Sequence, residues 1–192
     1  MAIRNVVLIA LGVCVLGGCG TVYRLDDRSD VGLPRSIHLV DGRSAETKRL
    51  VYEPSLPGNR FGDDNFEPDR VKLLAVNIDA QLGDRFRGKR IVLKSYDVFS
   101  YAPSAIATSR ALGTSGALLV LGFSPVVITG VRPQRDYFLT RIVIELDGER
   151  FAGEASENFT GLVDLSDARR ANRVSVQKAT DQLIESIQKR YP

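Results

Sequence analysis

The chain has 192 residues, 44% of them hydrophobic, with 26 basic side chains against 23 acidic ones and a net charge of +3. That length suits one domain of about 100–200 residues with a core of its own, and the interspersed charges leave no basic stripe for a nucleic acid. A single histidine, His38, and two cysteines, Cys14 and Cys19, exclude the usual ligand sets of zinc, haem and iron–sulfur centres, so no metal and no cofactor is expected.

Met1-Ala2-Ile3-Arg4-Asn5 opens the chain with one basic residue. An apolar run of eleven residues follows from Val6 to Leu16, closed by the small residues Gly17-Gly18-Cys19-Gly20. These are the three regions of a secretory signal. Crossing a ~30 Å hydrocarbon core as a helix takes about 20 residues, more than the run supplies. Leu16-Gly17-Gly18-Cys19 resembles the bacterial lipobox, in which an apolar residue and two small ones precede a lipid-modified cysteine. The resemblance implies a signal peptide over 1–18, cleavage before Cys19, a diacylglyceryl thioether on its sulfur and a third acyl chain on its amine. Two such chains already anchor a protein stably. A plain secretory peptide with a chance cysteine, or a first transmembrane helix, are the competing readings. Gly20 rather than Asp after the cysteine points to the outer membrane with the domain facing the periplasm, the inner membrane or the cell surface being the alternatives. With Cys14 discarded and Cys19 acylated, no thiol remains for a disulfide, and the core must hold the fold alone.

Residues 19–35 then read as the lipidated cysteine and a polar tether, and 36–192 as a single α+β domain. Ser36–Val40 is a strand candidate ended by Asp41-Gly42, and Lys48–Glu53 a short extended piece ahead of a loop rich in Pro and Gly. Asn65–Pro68 has the residue types of a helix start, and Val71, Leu74, Ile78 and Leu82 share one helical face. Arg90–Ser100 is rich in β-branched and aromatic residues and predicts a strand, with a bulge where its alternation slips near Ser95–Asp97. Tyr137–Leu146 and Glu149–Glu157 predict a hairpin turning at Asp147-Gly148, a pair suited to a type I′ turn. A last helix begins between Ser166 and Asn172 and buries Val176, Ala179, Leu183 and Ile187. The expected architecture is an antiparallel or mixed sheet packed against two amphipathic helices.

An apolar insert over 103–133 interrupts this pattern, with 21 uncharged residues between Arg110 and Arg132. Four glycines, Gly113, Gly116, Gly122 and Gly130, and the central Pro125 oppose a lone spanning helix. Two short strands joined near Ser124-Pro125 fit better, either within the core sheet or as a protruding loop. In the second case Leu118, Leu119, Leu121, Phe123, Val126, Val127 and Ile128 would meet a partner or lipid, since large exposed apolar patches mark interfaces. A membrane span is the third reading.

Motifs that imitate catalytic ones are incomplete. Gly83–Arg90 lacks the Ser or Thr of a phosphate-cradling loop and sits after a helix rather than before one. Ser175-Val-Gln-Lys178 has the spacing of the penicillin-binding nucleophile without its companion motifs, and reads as a solvated helix face. The acids of 63–69 lack the spacing of a calcium loop, and suit a helix N-terminus better. His38 has no second histidine or free thiol to work with, and reads as a surface or edge residue.

The lipobox, the early strand Ile37-His38-Leu39-Val40-Asp41-Gly42-Arg43 and the order helix, strand, hairpin, final helix resemble small Gram-negative lipoproteins with a compact α+β domain. These include YajG-type proteins, the lipopolysaccharide-assembly lipoprotein and auxiliary lipoproteins of ABC-type transport systems. The resemblance implies an anchored, non-catalytic, partner-binding protein, joined to the membrane through Cys19 and serving as an accessory or assembly factor of an envelope complex. The alternative is a carrier of an apolar ligand or lipid held between sheet and helices. An enzyme with a carboxylate or serine site visible only in the fold stands third.

Overall fold

A computed structural model describes residues 22–26, 32–49, 51–53, 58–101, 135–160 and 165–192. The signal peptide, Cys19 and the insert 103–133, with its candidate contacts from Leu118 to Ile128, lie outside the described residues.

The fold is α+β, as the sequence predicts. Short strands β1 (Tyr23–Arg24), β2 (His38–Asp41), β3 (Val51–Glu53), β4 (Gly58–Arg60) and β5 (Phe66–Glu67) precede helix α1 (Arg70–Leu82). Three long strands follow, β6 (Arg90–Tyr101), β7 (Asp136–Leu146) and β8 (Glu149–Phe159), then helix α2 (Leu165–Arg190). The main sheet has the order β3-β4-β6-β7-β8, and β2 lies parallel to the first residues of β6. A second, two-stranded sheet pairs β1 with β5 in parallel.

The hairpin forms in the predicted register. Asp147 and Gly148 both have positive φ, 53° and 82°, which is the type I′ geometry that suits the twist of the flanking strands. The bulge falls between Leu93 and Ser95, slightly ahead of the expected position. It moves the buried set from Ile91 and Leu93 to Tyr96, Val98 and Ser100, keeping one face toward the helices. The opposite face carries half-exposed and exposed residues along all three long strands.

Helix α2 packs on β8 and β7. Gly153 makes this approach close, because a Cβ there would collide with the Ala179 carbonyl oxygen and the Leu183 amide. The two elements run antiparallel, since Lys178 bridges Glu157 and Arg190 bridges Glu149 at the other end. Val176, Ala179, Leu183 and Ile187 are buried as their spacing predicts. Gln182 also accepts the Glu154 amide at 3.3 Å, so α2 reaches over the outer border of the sheet.

Two expectations need correction. Helix α1 begins at Arg70 rather than at Asn65–Pro68. Asp69 is its cap, accepting the amides of Val71 and Lys72 at 2.8 Å, while 63–65 form a 3₁₀ turn and Phe66–Glu67 a strand. Nor are residues 22–26 a tether: Tyr23 and Leu25 are 8% and 6% exposed and belong to the core. Their partners Phe61, Phe66 and Phe138 are distant in sequence, so no local periodicity announces them.

Candidate functional site

Several sequence motifs resolve into structural roles. Ser175 is fully buried, not solvated: its hydroxyl hydrogen bonds with that of Thr140 at 2.8 Å and donates to the Asn172 carbonyl at 2.9 Å. Lys178 lies at the surface and donates to Glu157 at 2.7 Å, so only one of the two residues of the nucleophile-like motif is exposed. The signal for burial was present, because Ser175 and Ala179 are four apart on the same helical face. His38 is exposed on β2. Gly83–Arg90 holds the C-cap of α1 and the turn into β6, with the Gly88 amide donating to the Ser36 carbonyl.

Of the acidic cluster, Asp63 is the organising member. Its carboxylate accepts Arg43 Nη1 at 3.0 Å, Arg43 Nη2 at 2.8 Å and Arg70 Nε at 2.7 Å. Asp41 takes the other side of Arg43, and Lys48 closes the chain on Asp41 at 2.9 Å. Burial opposes ionisation of the Asp41 carboxyl, but hydrogen bonds from Arg43 and Lys48 outweigh it and hold the group well below the usual carboxylate range. Arg70 is wholly buried between the rings of Phe66 and Tyr96, 4.9 and 5.0 Å from their centroids, and burial lowers its pKa despite Asp63. Its two terminal nitrogens have no hydrogen-bond partner. These partners are scattered along the chain from Asp41 to Tyr96, which is why the sequence reading missed the network. Among the described residues no group of His, Cys, Asp and Glu is placed to hold a metal ion, and no helix is long and apolar enough to cross a membrane.

A cleft of about 210 Å³ opens between α1 and α2, lined by Leu25, Leu74, Asn77, Tyr96, Arg173 and Thr180 among others. Pockets for small ligands usually enclose about 300–1,000 Å³. The space is small and mostly polar, and offers little to an acyl chain.

The end of the sandwich beyond Ser100 and Phe138 has a different character. Strands β6 and β7 pair directly with each other as far as Tyr101 and Tyr137. Tyr101 and Tyr137, which flank the apolar insert in sequence, are therefore held side by side. At that point the rings of Tyr101 and Tyr137 lie 5.1 Å apart on the outer face, half-exposed. On the inner face Tyr23 packs edge-on against Phe138 at 5.5 Å and Phe61 at 5.0 Å, and Phe159 joins at 5.0 Å from Phe138. Burial pushes the Tyr23 hydroxyl up to about 12, with the charge of Arg169 pulling the other way. Arg135 and Arg169 are exposed at this end.

The feature that emerges is a surface, an aromatic end of the sheet at Tyr101 and Tyr137, the described residues that flank the apolar insert in sequence. Comparison with known proteins adds no name to it, since no family model, no curated protein and no solved structure matches the chain.

Proposed function

We propose that the protein is a lipid-anchored envelope protein, facing the periplasm from the outer membrane, that acts as a non-catalytic accessory or assembly factor. The lipobox-like Leu16–Cys19 supports the anchor, in keeping with the small lipoproteins the chain resembles. What supports the accessory role is the insert itself: the uncharged residues 111–131 fall in sequence between Tyr101 and Tyr137, which pair at one end of the sheet. A large apolar segment presented in this way suits a docking element.

The test has two parts. Metabolic labelling with an alkyne fatty acid should mark the wild-type chain and leave Cys19→Ser unmarked. Mild detergent extracts of native membranes should then show the protein in a complex larger than its own 21.1 kDa, and Leu119→Asp should release it as a monomer with unchanged thermal stability. Wild-type protein that migrates as a free monomer in such extracts would refute the accessory role. A Leu119→Asp chain that fails to fold would place the insert in the core and refute its role in docking.

A further inference from the structure

We infer that the Tyr101–Tyr137 end of the sandwich rests directly on a lipid bilayer surface; the inference relies on acylation of Cys19. The direction of the chain carries the first step. Tyr23 packs on Phe138, next to the end of the sheet, whereas Leu25 borders the cleft floored by Tyr96, further from that end. In the β6–β7 register Phe138 faces Ser100, and Tyr96 faces Ile142. Passing from Tyr23 to Leu25 the chain thus runs away from the Tyr101–Tyr137 end, so Val22 enters from that side.

Reach supplies the second step. Tyr23 is fixed in the core at 8% exposure, and only Gly20, Thr21 and Val22 separate it from Cys19. Four residue steps span at most about 14 Å. A lipidated Cys19 lies at the headgroup level, so the domain has no tether on which to stand off from the membrane. The end nearest Tyr23 is held against the surface.

The chemistry of that end matches the surface it would meet. Val22 is 46% exposed, one of two large apolar side chains so open among the described residues. The half-exposed Tyr101–Tyr137 pair offers apolar ring faces and polar hydroxyls, the combination that favours the membrane–water interface. Arg135 and Arg169 add positive charge that attracts anionic headgroups.

The chain contains no tryptophan, which allows a direct test with single-tryptophan reporters in the full-length, host-matured protein. Tyr137→Trp and Val22→Trp report on the proposed contact, and Arg87→Trp, in the exposed turn before β6, reports on the far end. Each is reconstituted into phosphatidylcholine vesicles containing phosphatidylglycerol, with bromine on the acyl chains near the headgroup. Contact at interfacial depth predicts about twofold quenching for Tyr137→Trp and Val22→Trp, and little for Arg87→Trp. Because Val22 is exposed, its variant reads the contact even if the tyrosine pair tolerates no indole. Absence of quenching in both near-end variants, or equal quenching in all three, would overturn the orientation. Mass spectrometry of the same samples separates the two ways of failing. An acylated Cys19 with unquenched indoles overturns the orientation alone, whereas an unmodified Cys19 overturns the anchor and the orientation with it.

Discussion

The two ends of the β6–β7–β8 sandwich fill the space under α2 with different materials. Toward the Asp147-Gly148 turn the inner face is aliphatic: Ile91, Leu93, Ile144 and Leu146 are at 0% exposure, and α2 brings Leu183, Ile184 and Ile187 over that half. Phe86 and Tyr191 seal it with an edge-on contact at 5.3 Å, and Arg85 donates to the Tyr191 carbonyl. Toward the insert the core is made of rings from Tyr23, Phe61, Phe66, Phe138 and Phe159, and it includes the polar Thr140, Asn172 and Ser175. The aliphatic end is assembled mostly from a hairpin and the helix that follows it. The aromatic end is stitched from segments remote in sequence, and a hydrogen bond between the Thr140 and Ser175 hydroxyls ties its strand to its helix. One end therefore provides stability from local contacts, while the other fixes the N-terminal segment and the strand ends at Tyr101 and Tyr137 relative to each other.

Truncation at the two ends is the sharpest way to break this contrast. Phe138→Ala should cost about 3–5 kcal/mol and Ile144→Ala about 2–5 kcal/mol in chemical denaturation. Only Phe138→Ala should also free Tyr23, read as faster hydrogen exchange at the Leu25 amide, which bonds to the Glu67 carbonyl at 2.8 Å. Equal exchange in both variants would mean that the N-terminal segment is held independently of the rings.

Next in size is the buried charge network. Asp63→Asn should destabilise by about 3 kcal/mol, because it leaves two buried guanidinium groups without their shared carboxylate. Arg70→Met should cost less than that and could raise stability, since it removes two nitrogens that have no partner. A larger loss for Arg70→Met than for Asp63→Asn would show that ring stacking, not ion pairing, is what the arginine supplies.

A smaller effect, of opposite sign, is expected from Asn172→Leu. The side-chain amide of Asn172 is wholly buried with neither its nitrogen nor its oxygen hydrogen bonded. Replacing it with an apolar side chain of similar size should raise the denaturation midpoint, by about 1 kcal/mol in stability. Ser175→Ala, which strands the Thr140 hydroxyl, should move the midpoint the other way.

The mildest prediction concerns acid. The amides of Arg35, Ser36 and Ile37 donate to Asp79 at 2.8–3.1 Å and lower its pKa, and Asp41 is lowered as well. A carboxyl whose pKa is depressed by folding contributes fully above its unfolded value of about 3.9, and the contribution fades as pH falls toward the folded value. Thermal stability should thus be insensitive to these groups from pH 5 to 8 and decline below pH 4. Asp79→Asn should start lower at pH 7 and decline less steeply. An identical acid limb in both proteins would rule out this clamp as a source of the pH dependence.

How much of this was legible in the sequence follows the same division. The Asp147-Gly148 turn, the bulge near Ser95 and the stripe Val176, Ala179, Leu183, Ile187 are written in neighbouring residues, and local pattern suffices to find them. Tyr23 and Leu25 sit in a polar stretch whose partners lie some forty residues on or more, so burial there has no local signature. At Asn65–Pro68 the capping residue types appear one turn early, and only the Asp69 side chain makes the bonds that start α1. The lipobox is legible as a motif, whereas the short path from Cys19 to the core emerges only once Tyr23 is seen to be buried.

The reach of α2 across the border of β8 has a consequence for molecules in company. A strand eleven residues long with one open side is a template on which a neighbouring chain can add. Here Gln182 occupies the Glu154 amide, while Arg170, Lys178 and Arg190 tie down Glu157 and Glu149 along the same border. Copies crowded side by side would meet a fence of ion pairs where bare backbone would otherwise invite them to fuse, and sheet-to-sheet coalescence is suppressed without any change to the core.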